Sequence, residues 1–258
     1  MRIVVKVGTS TLAYPNGRMN IRRTEDLCRV LSDLKNAGHE VILVSSGAIG
    51  MGAGKLGLPA RPTDIPTKQA AAAVGQCELM YTYDRLFSGY NHTVAQLLMT
   101  GADFQSPERH ENFSNTISRL LSLGVLPIIN ENDTVSTAEI RVGDNDTLSA
   151  LVASSVGADL LVLLSDIDGL YTADPHKDPS ATVIPTVPAI TEQILSLGGE
   201  EGSALGTGGM KTKLHAAAIC TEAGCDMIIA NGASPNLLYD AADGKAVGTR
   251  FLRKEDRT

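Results

Sequence analysis

Tryptophan is absent from this sequence and aromatic residues make up only 4% of it, which removes the stacking platforms on which single-stranded nucleic acids and sugars are held. Basic residues are outnumbered, 22 Lys and Arg against 29 Asp and Glu, for a formal net charge of −7. No basic field is therefore available to gather nucleic acid or an anionic membrane surface. No apolar run reaches the ~18 residues that a membrane-spanning helix needs. At the N-terminus Ile3, Val4 and Val5 precede Lys6, too few for the apolar region of a secretion signal. The four cysteines, Cys28, Cys77, Cys220 and Cys225, form no CxxC pair and have no His at zinc spacing. Buried, reduced thiols in a cytoplasmic protein are expected, with no nucleic-acid or membrane partner.

What is present is an ordinary globular balance, 258 residues of which 43% are hydrophobic and 20% charged, enough for a sizeable core. Strand-like and helix-like segments alternate. Residues 2–7 (RIVVKV) read as a buried strand ending in a Gly8-Thr9-Ser10 turn. Leu27, Val30, Leu31 and Leu34 recur at helical spacing before Gly38, a helix stop. A strand at 40–45 runs into SGAIGMGAG, which is read as a glycine-rich loop in ligand contact. Helices near 67–87, 109–122, 147–157, 190–197 and 210–224 alternate with strands near 92–98, 125–130, 159–165, 226–231 and 249–252, and 134–142 reads as a hairpin. Such alternation implies an α/β protein with a mostly parallel open sheet covered by helices. No repeat or linker divides the chain, so one domain over 1–252 with a charged tail over 253–258 is expected.

Gly52, Gly54 and Gly57 spell GxGxxG, but too far past their strand and without an acidic residue about 20 positions on, so a dinucleotide fingerprint is disfavoured. Gly54-Lys55 is followed by Leu56, which excludes a Walker A loop. Three other features could cradle phosphate or substrate. Lys6 ends the first strand beside Gly8, where a bare backbone lets N–H groups approach an anion, although a surface lysine at a turn would look the same. Thr207-Gly208-Gly209-Met210-Lys211-Thr212-Lys213 opens straight into a helix, whose free N–H groups and dipole suit phosphate. Asn130 to Asp133 and Gly143 to Asp146 put a polar cluster beyond a strand's C-terminal end, where ligands of open parallel sheets bind, or form Asx-rich turns.

VKVGTS, VSSGAIGMG, KQAAAAVGQ, INENDTV, EIRVGDND, DIDGLYTADP and LGTGGMKTKL follow one another between residues 2 and about 252. In this order they resemble the amino acid kinase family, and INENDTV with GDND points to its glutamate-phosphorylating branch. The resemblance implies a three-layer sandwich with helices on both faces of the sheet. It implies transfer of the ATP γ-phosphoryl group to the side-chain carboxylate of L-glutamate, giving L-glutamyl 5-phosphate for proline biosynthesis. It also implies that Lys6 and Lys213 flank the migrating group and that Asp146 orients them. Gly8 and Gly47 would donate backbone N–H groups to phosphate, and Ser46, Asp133 and Asn145 would hold glutamate. Ser165, Asp166, Thr207, Gly208, Gly209, Met210, Lys211, Thr212 and Lys213 would form the nucleotide site. Mg2+ would be held by phosphate oxygens and water, so no protein metal ligand is assigned. The resemblance further implies proline as feedback inhibitor, hand-off to a glutamyl phosphate reductase and a homo-oligomer, dimer or tetramer. Many family members carry a C-terminal PUA domain, and none is expected here. Acetylglutamate or aspartate kinase activity, or a silent amino-acid sensor, are the alternatives.

Overall fold

The computed structural model describes residues 1–14, 18–136, 145–175, 177–199 and 209–254. Its strands are β1 (Arg2–Val7), β2 (Glu40–Ser45), β3 (Val94–Met99), β4 (Leu126–Glu131), β5 (Leu160–Ser165), β6 (Thr186–Val187), β7 (Asp226–Asn231) and β8 (Thr249–Phe251). They form one sheet in the order β3-β4-β2-β1-β5-β7-β8-β6. Each neighbouring pair is parallel except β7 with β8. The helices are α1 (Thr9–Leu12), α2 (Ile21–Asn36), α3 (Ala48–Lys55), α4 (Ile65–Ser88), α5 (Gly101–Gln105), α6 (Pro107–Ser122), α7 (Asn145–Ser155), α8 (Glu192–Ser196), α9 (Met210–Glu222) and α10 (Leu237–Ala242).

Successive strand residues point to opposite faces, and here both faces are buried, as a parallel sheet requires. On one face Val4, Ile42, Val44, Leu161, Leu163, Met227 and Ile229 pack with Phe113 and Ile117 of α6, Leu148 and Val152 of α7, and Leu214 and Ala217 of α9. On the other, Ile3, Val5, Val7, Leu43, Val162 and Ile228 pack with Leu27 and Leu31 of α2, Leu79, Tyr83 and Phe87 of α4, and Leu238 of α10. The arrangement is the expected helix-covered, mostly parallel sheet with one antiparallel edge.

Three local readings are corrected. The SGAIGMGAG segment is not a loop: its residues 48–54 lie in α3. Gly52 is there for helix contact. A Cβ at Gly52 would overlap the backbone carbonyl of Ala71 in α4, and one at Gly75 would overlap that of Ala48 in α3. The Gly8-Thr9-Ser10 turn continues into the short helix α1. Helix α7 begins at Asn145, two residues before the expected start, so Asn145 and Asp146 sit in its first turn. The short elements β6, α5 and α10 have no counterpart in the sequence reading. The expected hairpin falls largely on 137–144 and the tail on 255–258, both outside the described residues.

Substituting Gly75→Ala forces α3 and α4 apart and should cost roughly 2–3 kcal/mol, about 5–10 °C in Tm for a chain of this size. A thermal melt within 1 °C of the unsubstituted protein would refute the close helix contact.

Candidate active site

The C-terminal edge of the sheet gathers most of the polar residues singled out above. Val7, the last residue of β1, pairs with Ser45 on one side and Leu164 on the other, and Gly8, Ser46 and Ser165 come one position later. Gly8 is therefore flanked by the ends of β2 and β5. Lys6 has the parity of Val4 and so leaves β1 on the α7 and α9 face. There its Nζ lies 2.6 Å from Asp146 Oδ1 in α7, and Lys213 Nζ from α9 lies 3.0 Å from Asp146 Oδ2. The three side chains are only 12%, 2% and 8% exposed in the order Lys6, Asp146, Lys213. Thr212 Oγ1 also approaches Asp146 Oδ2 at 3.3 Å.

Burial alone would raise the carboxyl pKa of Asp146. The two ammonium groups, through charge and hydrogen bonds, outweigh it and pull the pKa down to about 2. Asp146 is thus an anion at every physiological pH. Two lysine ammoniums thus share one carboxylate, in a chain of net charge −7.

Gly8, Gly47 and Gly209 stand at the N-caps of α1, α3 and α9 and offer no side-chain cap, whereas α2 and α4 are capped by Asn20 and Asp64. Helices opened by glycine leave first-turn N–H groups for an external anion. Gly47 needs the freedom of glycine, since its φ is 111°. A Cβ at Gly8 would lie 3.7 Å from Lys6 Nζ, in the space beside the ammonium.

A second cluster lies on the α4 side. Asn145 Nδ2 donates to Ser46 Oγ at 2.7 Å and to Asn130 Oδ1 at 3.0 Å. Asn130 Nδ2 donates to Gln76 Oε1 at 2.9 Å. Tyr83 of α4 meets Ser45 Oγ at 2.8 Å. Asn130 has the parity of Ile128 and Ser45 that of Leu43, which turns both toward α4. Sequence reasoning left Gln76, Tyr83 and Ser45 unassigned and noted Asn130 only as part of a polar run. Asp133 is half-buried in the turn after β4. Ser165 is buried at the end of β5, its hydroxyl 3.2 Å from Asp166 Oδ1, while Asp166 and Lys211 are exposed and Met210 is half-buried. Thr207 and Gly208 lie outside the described residues. Among the described residues no group of three or more His, Cys, Asp or Glu is placed to hold a metal ion.

The amino acid kinase family model matches residues 1–231. A protein of Listeria welshimeri named glutamate 5-kinase is 52% identical over 99% of this chain and 94% of its own length. One of the same name from Clostridium tetani is 55% identical over 96% of this chain and 93% of its own. A third, from Thermoanaerobacter, is longer: this chain covers 68% of it at 51% identity. Among solved structures, UMP kinase from Bacillus anthracis superposes with a TM-score of 0.66 over 98% of this chain and 96% of that one. Carbamate kinase from Giardia lamblia bound to AMP-PNP gives 0.67 over 98% of both. At 17% identity each of these speaks for the fold alone.

Because the folded-state pKa of Asp146 is depressed from an ordinary 3.8, its ion pairs stabilise the protein above about pH 4. That contribution, about 2 kcal/mol, is lost as pH falls through 2. Asp146→Asn should be less stable than the unsubstituted protein by this amount at pH 7 in denaturant unfolding, and the gap should close between pH 4 and pH 2. A gap independent of pH would show that the carboxylate is not held by the two lysines.

Proposed function

The chain belongs to the amino acid kinase family, and from that premise we propose that it is a glutamate 5-kinase, transferring the γ-phosphoryl group of ATP to the side-chain carboxylate of L-glutamate. The observation that carries the reading is the triad of Lys6, Asp146 and Lys213, two ammonium groups fixed on one carboxylate at the edge of the sheet where glycine-opened helices converge.

The chemistry needs little more. A glutamate side chain with pKa about 4.3 is already ionised at pH 7, so no general base has to act. Asp146, held down to about 2, would be a poor one. An oxygen of the carboxylate forms a bond to the γ-phosphorus as the bond to the β,γ-bridging oxygen breaks, and ADP departs with the electron pair. The obstacle is repulsion between two anions, and the remedy is positioning and charge neutralisation. Lys6 and Lys213 flank the migrating group, one from a strand and one from a helix, and Asp146 keeps both ammoniums aimed. The backbone N–H groups of Gly8 and Gly47 meet phosphate oxygens. Ser46, Asn145 and Asp133 hold glutamate, with Asp133 suited to the substrate's ammonium. Ser165, Asp166 and residues 207–213 hold the nucleotide. ATP would be used as its magnesium complex, with no protein ligand assigned to the ion, which would supply charge neutralisation at the phosphates.

Family resemblance also supports a place at the first step of proline biosynthesis, feedback inhibition by proline, hand-off of the labile acyl phosphate to glutamyl phosphate reductase, and a cytoplasmic homo-oligomer, dimer or tetramer. Among the described residues no helix is long and apolar enough to cross a membrane.

Incubation with ATP, magnesium and glutamate should yield an acyl phosphate that hydroxylamine traps as the hydroxamate. Turnover with aspartate or acetylglutamate and none with glutamate would reassign the substrate. Lys6→Ala and Lys213→Ala should each lower kcat by about 10²-fold or more, and an unchanged kcat in both would remove their assigned roles. Asp133→Ala should raise the KM for glutamate more than that for ATP; the reverse would move Asp133 to the nucleotide side.

A further inference from the structure

We propose that Gln76, on α4, is a positioning residue that sets the hydrogen-bond polarity of the glutamate pocket through Asn130 and Asn145. The inference deepens the glutamate kinase reading and rests on it.

Gln76 is 9% exposed and follows Gly75, the residue that lets α4 press against α3. The orientation of its amide is fixed from a distance by one backbone donor. The N–H of Glu131 donates to Asn130 Oδ1 at 2.9 Å, so that atom must be the oxygen. Asn130 Nδ2 therefore faces Gln76 and donates, and the atom of Gln76 that receives it must be Oε1. Asn130 Oδ1 also accepts from Asn145 Nδ2, which donates to Ser46 Oγ at 2.7 Å as well, with the Ser45 carbonyl oxygen further off at 3.4 Å. Two groups are left to face a ligand. Asn145 keeps Oδ1 as an acceptor, and Ser46, having accepted, keeps a proton to donate. These match the ammonium and carboxylate groups of an amino acid substrate.

The arrangement is maintained against a cost. Gln76 Nε2 is buried and among the described residues has no hydrogen-bond partner, a penalty typically of about 1–3 kcal/mol. Turning the amide over would not remove the conflict, since Nε2 would then meet the donor Nδ2 of Asn130. Turning Asn130 as well would set its Nδ2 against both the Glu131 N–H and Asn145 Nδ2. An orphaned buried donor calls for a functional reason, and the reason offered here is that Gln76 Oε1 locks Asn130.

Kinetics of two near-isosteric variants test this. Gln76→Met removes the acceptor and should raise the KM for glutamate about tenfold while leaving the KM for ATP within twofold. Gln76→Glu presents a carboxyl oxygen to Asn130 in either protonation state and should keep the glutamate KM within threefold of the original. An unmoved glutamate KM in Gln76→Met overturns the proposal, as does a parallel rise in both KM values or equal impairment in Gln76→Glu. Should Gln76→Met not fold, Gln76→Asn, polar but too short to reach, must give the same split. The lock is also readable without turnover, as slow exchange of the 15N-labelled Asn130 side-chain amide protons that is lost in Gln76→Met; fast exchange in the unsubstituted protein overturns it. Failure of the unsubstituted enzyme to phosphorylate glutamate would instead sink the parent reading, with the exchange measurement still deciding the lock.

Discussion

Two ammonium groups share one buried carboxylate, and the rest of the structure is arranged around that contact. Taking charges out of water is expensive, and a carboxylate can repay that only for partners at close range. Asp146 meets both lysines on separate oxygens at 2.6 and 3.0 Å. The group sits at the open C-terminal rim of the strands and not in the apolar layers below. There glycine-opened helix ends add partial positive charge of their own. Ammonium groups already fixed in place are the condition for electrostatic work that needs no rearrangement at the moment of reaction.

Strand parity decides which chemistry goes to which side. Even-numbered positions of β1 face α7 and α9, so Lys6 enters the ion triad. Odd positions of β2 and even positions of β4 face α4, so Ser45 and Asn130 turn to Tyr83 and Gln76. The charged half of the site and the amide half are separated by the thickness of a single pleat. Neither half borrows side chains from the other's helices, except through α7.

The major strands and the long helices were legible because their apolar spacing is strong and both faces of the sheet are buried. Lys6, Asp146 and Lys213 were legible as residues in motifs, although nothing local says that Asp146 bonds a lysine 67 positions further along the chain. The segment at 48–55 was misread because glycine content argues locally for a loop, whereas Gly52 is explained only by a backbone carbonyl of α4. Residues such as β6, with two positions, carry too little periodicity to register. Gln76 was invisible for a related reason. In sequence it closes a small-residue run on a helix, and its partner Asn130 is 54 residues away on a strand.

The first turn of α7 places Asn145 and Asp146 side by side, one bonded into the amide half and the other into the ion triad. A single peptide unit therefore joins the two halves. Tilting or sliding this helix moves both together, because both are indexed to the same backbone. The spacing between the amide half and the ion triad is in this sense a covalent property of the chain, set by adjacent residues and only then refined by the fold.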